Sequence, residues 1–144
     1  MAGHLLLVID DDRDTCDAFA EWLQLAGYVV VCADSAATAE VALAGRTPAA
    51  CILDLKLRME TGIDVLRVLR ARHPQLRDTV PIVISGMERS RAERMIEESR
   101  MAGIILLAKP IDPNEVSEVI RSVLAARPEP FDSSDPAYAP FDDR

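Results

Sequence analysis

Four aspartates stand where apolar runs stop: Asp10, Asp11 and Asp12 follow Leu5–Ile9, and Asp54 follows Cys51-Ile52-Leu53. Two further apolar runs, Val80–Ile84 and Ile104–Leu107, lead into Ser85 and Lys109. Four carboxylates left together would repel, and a hard divalent cation relieves that repulsion. Mg2+ takes a few carboxylates together with water and phosphate oxygens. A carboxylate emerging from a buried strand can also act as a nucleophile and form an acyl phosphate. That transfer needs charge neutralised on the phosphoryl oxygens, by Mg2+ from one side and an ammonium from another. Lys109 is placed to be that ammonium, with its backbone constrained by Pro110. Ser85 can donate its hydroxyl to a phosphoryl oxygen, and Gly86 beside it leaves room for that oxygen. The competing reading of the triplet is helix capping by solvated first-turn acids that favour the helix dipole. Asp12 is the member that reading fits best. A lone serine or lysine after a strand means little; the weight lies in the set.

Five nearly continuous apolar runs must position these groups: Leu5–Ile9, Tyr28–Cys32, Ala49–Leu53, Val80–Ile84 and Ile104–Leu107. Runs rich in Val, Ile and Leu suit parallel strands covered on both faces, and their spacing leaves room for one helix between each pair. Pro81 cannot donate to a ladder and belongs near a strand start. Cys16, Phe19, Leu23 and Ala26 form the stripe of a first helix stopped by Gly27. A second is predicted from about Ser35 to Ala44, closed by Gly45. Thr61 and Asp64 make a capping box for a third, carrying Val65, Leu66 and Leu69. A charged fourth helix runs from Arg89 to Met101. The fifth has Asp112 as N-cap, Pro113 at N1 and Glu115 at N3, then Val116, Val119, Ile120, Val123 and Leu124 on one face. Alternating β-α units in one short domain imply a three-layer α/β sandwich with right-handed crossovers. In such sheets ligands bind beyond the carboxyl ends of the strands, where strand order reverses. That is where the aspartates, the serine and the lysine fall.

The chain has 144 residues and 15.8 kDa, which favours a single domain. Its formal net charge of −8 argues against nucleic acid as a direct partner. Cys16, Cys32 and Cys51 form neither a CxxC pair nor an even framework, which points to a reducing cytoplasm. No run approaches the roughly 20 apolar residues of a membrane span, and the apolar stretch before Asp10 is too short for a signal peptide. Residues 128–144 differ in kind, holding Pro128, Pro130, Pro136 and Pro140 and the acids Glu129, Asp132, Asp135, Asp142 and Asp143 against Arg144. Such a composition, without apolar periodicity, predicts an acidic, Pro-rich, disordered tail behind a globular body of residues 1–127. Phe131, Tyr138 and Phe141 could make a docking motif there; a terminal tail or truncated linker is the plainer reading.

The ordered pieces Leu5-Leu6-Leu7-Val8-Ile9-Asp10-Asp11-Asp12, Ile52-Leu53-Asp54-Leu55 with Gly62 eight residues after the aspartate, Ile82-Val83-Ile84-Ser85-Gly86 and Ala108-Lys109-Pro110 resemble the response-regulator receiver domain of two-component signalling. The match covers about residues 4–126. Each piece is weak alone, and their order and spacing together are specific. The resemblance implies a flavodoxin-like, doubly wound, five-stranded parallel sheet of order 2-1-3-4-5, a choice the apolar pattern alone does not make. It implies that Asp54 is the phosphoacceptor, that Asp10 and Asp11 hold Mg2+ with Asp54 and the backbone carbonyl of Lys56, and that Ser85 and Lys109 contact the phosphoryl group. It further implies a cis Lys109–Pro110 bond. Four positions depart from the family pattern. Leu106 replaces the aromatic that commonly reports phosphorylation, in a Gly103–Lys109 segment one residue shorter than usual. Arg58 stands where proline usually does, Lys56 brings a cation to the pocket mouth, and Met87 lacks a polar group to position water.

On this reading the chain is a signalling module that takes a phosphoryl group from a histidine kinase or histidine phosphotransfer protein. It changes its contacts with a downstream output protein and catalyses only its own modification. His4, at the chain start, and His73, before Pro74, are surface residues rather than donors. A degenerate receiver acting as a phosphate-independent binding module is the alternative, motivated by Leu106. An aspartate-nucleophile phosphohydrolase commonly carries a second acid where this chain has Lys56, and it needs a cap. A flavin site would need an anion loop in place of the aspartates. The charged fourth helix could form a homodimer, although a solvated face explains it as well.

Overall fold

Along each strand, alternate side chains leave opposite faces of the sheet, and both sets here are apolar. The computed structural model describes residues 3–126. Its strands are β1 (Leu5–Ile9), β2 (Val29–Ala33), β3 (Ala50–Asp54), β4 (Val80–Ser85) and β5 (Ile105–Ala108). They pair in parallel in the order β2-β1-β3-β4-β5, the doubly wound arrangement that the resemblance implied. The helices are α1 (Arg13–Leu25), α2 (Ala36–Leu43), α3 (Gly62–Arg72), α4 (Arg89–Ser99) and α5 (Pro113–Ala125).

The two faces build two cores. Leu7, Ile9, Cys51, Leu53 and Val83 pack with Ala39 and Leu43 of α2, Val65, Leu66 and Leu69 of α3, and Ala92 of α4. Leu6, Val8, Ala50, Ile52, Ile82 and Ile84 pack with Cys16, Phe19 and Leu23 of α1 and Val116, Ile120 and Val123 of α5. A sheet apolar on both faces is stable only when both are covered. The consequence for function is positional: every strand points its carboxyl end at one rim.

The elements stand close to their predicted places. Four of the five strands run one residue further than the apolar runs do, because the parallel ladder continues through the first residue beyond them: Asp54 pairs with Ile84, and Ser85 with Ala108. Ala26, predicted on the buried stripe of α1, is instead its exposed C-cap. The second helix ends one residue before its predicted last residue, with Ala44 as C-cap at a φ of 50°. The fourth ends at Ser99 rather than Met101, on Arg100 at a φ of 58°. A 3-10 turn, Pro74–Asp78, carries the chain from α3 to β4. Pro81 lies at the second position of β4, opposite Cys51. The predicted tail, 128–144, lies outside the described residues.

Candidate functional site at the carboxyl rim of the sheet

β1 lies between β2 and β3, so the loops after β1 and β3 open away from each other and leave a crevice at that switch point. Asp10 is the first residue beyond β1 and stays tied to the ladder through its N–H, which donates to the Ala33 carbonyl at 3.0 Å. It is 7% exposed. Its Oδ1 accepts the Asp12 N–H at 2.9 Å, which folds the loop back on itself. Asp12 then leaves the acid group. It is the N-cap of α1, accepting from Asp14 N at 3.0 Å and from the Thr15 hydroxyl at 3.0 Å. The capping reading therefore holds for Asp12, and the acids at the rim are Asp10, Asp11 and Asp54.

Burial pushes the Asp10 carboxyl above its ordinary value, the Asp12 N–H pulls it down, and the charges of Asp54 and Asp11 raise it further against the lowering effect of Lys109. A carboxylate so placed gains from a second cation. Asp54 ends β3 with its side chain 13% exposed and its Oδ2 accepting from Lys109 Nζ at 3.2 Å. Its Oδ1 accepts the Lys56 N–H at 3.2 Å. To reach Asp54, Lys109 crosses the end of β4, where the chain is Ser85-Gly86. A methyl on Gly86 would touch Lys109 Cδ at 3.6 Å, an ordinary contact, so the glycine is not needed to admit the lysine. The Lys109 N–H donates to the Ser85 carbonyl at 2.8 Å, and Lys109–Pro110 is cis. Ser85 is buried, and its Oγ accepts the Met87 N–H at 3.1 Å. Among the described residues that hydroxyl donates to no protein acceptor, so its hydrogen is not committed to a protein partner.

Asp11 behaves differently from its neighbours. Its Oδ2 accepts the N–H of Arg58, from the loop after β3, at 2.7 Å. This hydrogen bond joins the two acid-bearing loops across the switch point. It exists only because residue 58 is not proline, which has no N–H to give. The sequence pattern marked Arg58 as a departure, but no signal in it connects residue 58 with Asp11.

The loop after β3 is itself pinned. Leu57 N donates to Glu60 O at 2.9 Å and Gly62 N to Leu55 O at 3.3 Å, a short antiparallel bridge that brackets Lys56 and Thr61. On the Lys56 side the bridge uses the Leu55 carbonyl and the Leu57 N–H, so the Lys56 carbonyl itself accepts nothing from it. Gly62 opens α3 against the end of β3. A Cβ there would collide with the Asp54 carbonyl oxygen and lie 2.9 Å from Leu53 Cβ. Only glycine allows this approach, a functional role that its place in the motif did not explain. Thr61 caps the helix through Asp64 N at 3.1 Å, with Asp64 reciprocating, as the capping box predicted.

The donor set suits a small hard cation: carboxylate oxygens of Asp10, Asp11 and Asp54 and the Lys56 carbonyl. Among the described residues no three His, Cys, Asp or Glu side chains converge as a ready-made metal shell. One oxygen of Asp11 is held by Arg58 and one of Asp54 by Lys109. Mg2+ ordinarily takes one or two carboxylates and completes its octahedron with water and phosphate oxygens, so the residues present fit it.

At this rim acids occupy the place where a nucleotide-binding α/β fold would carry an anion loop. The profile of the response regulator receiver domain matches residues 6–121. The chain belongs to that family, the receiver domains of two-component systems. It is 30% identical over 129 residues to the photosynthetic apparatus regulatory protein RegA of Cereibacter sphaeroides, covering 90% of this chain and 67% of that one. It is 32% identical over 114 residues to the alginate biosynthesis transcriptional regulatory protein AlgB of Pseudomonas putida, covering 79% of this chain and 24% of that one. The RegA proteins of Rhodovulum sulfidophilum and Rhodobacter capsulatus are spanned to 66% and 65% of their lengths. Among solved structures, the Vibrio cholerae chemotaxis protein CheY4 superposes with a TM-score of 0.74 at 20% identity, over 85% of this chain and all of that one. NtrX from Brucella abortus gives 0.69 at 26% identity, over 85% of this chain and 27% of that one. Among the described residues no helix is long and apolar enough to cross a membrane.

Proposed function

We propose that Asp54 accepts a phosphoryl group from the phosphohistidine of a histidine kinase or phosphotransfer protein, and that the modified domain changes its contacts with an output protein. The observation that carries this reading is the Asp54–Lys109 pair, 3.2 Å apart at the carboxyl rim beside buried Asp10. An Asp54 oxygen forms the new P–O bond as the P–N bond breaks, and the imidazole leaves and takes up a proton. Lys109 already touches the reacting carboxylate and follows the negative charge onto the phosphoryl oxygens. Ser85 has its Oγ fixed by Met87 N and donates its hydrogen to one of those oxygens. Mg2+, held by Asp10, Asp11, Asp54 and the Lys56 carbonyl, would supply the remaining charge neutralisation. The protein so described modifies itself and has no other substrate.

The output partner would read α4, β5 and α5, where Leu106 of β5 and Met95 and Ile96 of α4 are partly buried and each packs against the core on that face of the sheet. The division into a receiver body, 1–127, and an acidic tail, 128–144, belongs to the same proposal, as does a cytoplasmic setting. Incubation with a phosphohistidine donor and Mg2+ tests it: wild type takes up one acid-stable, hydroxylamine-labile label, and Asp54→Ala takes up none. Equal labelling of the variant overturns the assignment. Leu106 favours one competing reading, a receiver that signals without phosphate. Mg2+ with beryllofluoride separates the two, since amide resonances that all stay in place would support the phosphate-independent module.

A further inference from the structure

The second strand carries a reactive group at the same rim, Cys32, one residue before the end of β2. Cys16, on the first turn of α1, faces it across the gap between helix and sheet. The Cys32 thiol donates to the Cys16 carbonyl at 3.4 Å, and the Cys16 thiol donates to the Asp10 carbonyl at 3.5 Å. Both cysteines line one cavity of about 230 Å³ that opens beside the acid loop and also touches Asp10, Asp11, Arg13 and Asp34. Cys16 is 5% exposed and Cys32 is half-buried, so solvent meets Cys32 first. Cys51 is fully buried in the other core and shares none of this.

We propose that Cys16 and Cys32 form an oxidisable dithiol that closes to a disulfide when a peroxide enters this cavity, pinning α1 to β2 beside the acid loop. The Cys32 thiolate attacks one peroxide oxygen; the S–O bond forms, the O–O bond breaks, and the departing hydroxide takes up a proton as water. The Cys16 sulfur then attacks the resulting sulfenic sulfur; the S–S bond forms, the S–O bond breaks, and the hydroxyl leaves with the Cys16 proton as a second water. Two thiols lose two electrons and the peroxide gains them. The order follows access, Cys32 open to solvent and Cys16 waiting behind it, as in paired thiols where an exposed cysteine reacts and a neighbour resolves it. A bridge here replaces the thiol hydrogen that Cys16 gives to the Asp10 carbonyl, so the change is felt in the loop that carries the rim acids. The inference needs no phosphoryl transfer and stands apart from the reading of Asp54.

The sequence provides a clean assay. No Lys or Arg lies between Arg13 and Arg46, so trypsin releases both cysteines in one methionine-free peptide, 14–46, and Cys51 in another, 47–56. The folded, reduced full chain is treated with hydrogen peroxide, quenched with catalase, alkylated in denaturant and digested. The expected result is a peptide 14–46 lighter by two hydrogens and closed to alkylation until reduced, with Cys51 alkylated throughout. Cys16→Ser should leave Cys32 as a sulfenic acid trapped by dimedone, and Cys32→Ser should leave Cys16 alkylatable. A wild-type peptide 14–46 that stays fully alkylatable, gains oxygen at Cys32 without bridging, or links two chains through Cys32 overturns the proposal. The wild-type measurement decides this even if a variant fails to fold.

Discussion

At residue 58 the family pattern has proline, and here an N–H of Arg58 holds Asp11 at 2.7 Å. A hydrogen bond to a carboxylate is worth about 1.5–3 kcal/mol net when buried and less when exposed, and any ligand taking Asp11 Oδ2 must first displace it. Arg58→Pro removes the donor and frees the oxygen. Calorimetric titration should show Mg2+ binding tightened by up to about tenfold, roughly 1.4 kcal/mol; unchanged or weaker affinity would show that the clamp does not compete with metal. Lys109 makes the opposite case, a side chain already on the Asp54 carboxylate. Lys109→Ala should slow phosphorylation of Asp54 by about 10²–10³-fold, the cost of one lost charge-stabilising donor, while a rapid-quench rate equal to wild type would remove Lys109 from the transfer. The residue types of the rim were legible in the sequence because each follows an apolar run. The Asp11–Arg58 bond was not, since it joins residues far apart in the chain through a backbone group that every non-proline residue carries.

Elements set the positions of those residues through contacts that single positions decide. The start of α3 sits so close to the end of β3 that a methyl on Gly62 would strike the Asp54 carbonyl. That neighbour is backbone and cannot rotate away, so Gly62→Ala must push the helix off the strand. We expect a loss of about 1–3 kcal/mol by denaturant melting, in the range of overpacked cores, together with slower phosphorylation of Asp54. A variant with wild-type stability and rate would mean that β3 and α3 separate without strain. A second tie joins α2 to the end of α3: Glu40 bonds Arg72 Nη1 and His73 Nε2, each at 2.7 Å. The His73 hydrogen bond, with Arg72 next in effect, holds the Glu40 carboxyl below its ordinary value of 4.5. A depressed carboxyl stabilises the fold above its unfolded value and loses that contribution as pH falls through the folded value. Wild type and Glu40→Gln should therefore differ most near neutrality and converge below pH 4.5; a gap that persists or widens in acid would assign the effect to packing. Helix starts with side-chain caps were legible, as at Thr61 and Asp112, because capping chemistry is local. Strand ends were read one residue short at Asp54 and Ser85, because a parallel ladder extends through whichever residue its neighbour can pair with, polar or not.

Across the whole molecule, what the sequence could not choose was the order of the strands. Apolar runs of similar composition fit several arrangements, and only pairing fixes β1 between β2 and β3. The period-two split of each run between two cores, by contrast, follows from the chain itself: even-numbered residues of β1 face α1 and α5, odd-numbered ones α2 and α3. That closed pair of cores bears on where the domain ends. The face covered by α1 takes its last buried residue, Val123, from α5, which ends at Ala125. The family match ends at residue 121, and the proline-rich acidic composition begins at 128. A segment with few apolar side chains and excess like charge has little burial to offset its ordering entropy. The body should accordingly be complete without it. A chain ending at Ala126 is expected to fold, to melt at the same temperature as the full chain, and to be phosphorylated at the same rate. A drop of more than about 4 °C, the shift that roughly 1 kcal/mol produces in a domain of this size, would show that residues beyond 126 pack on the body. In that case the boundary drawn from composition would have to move.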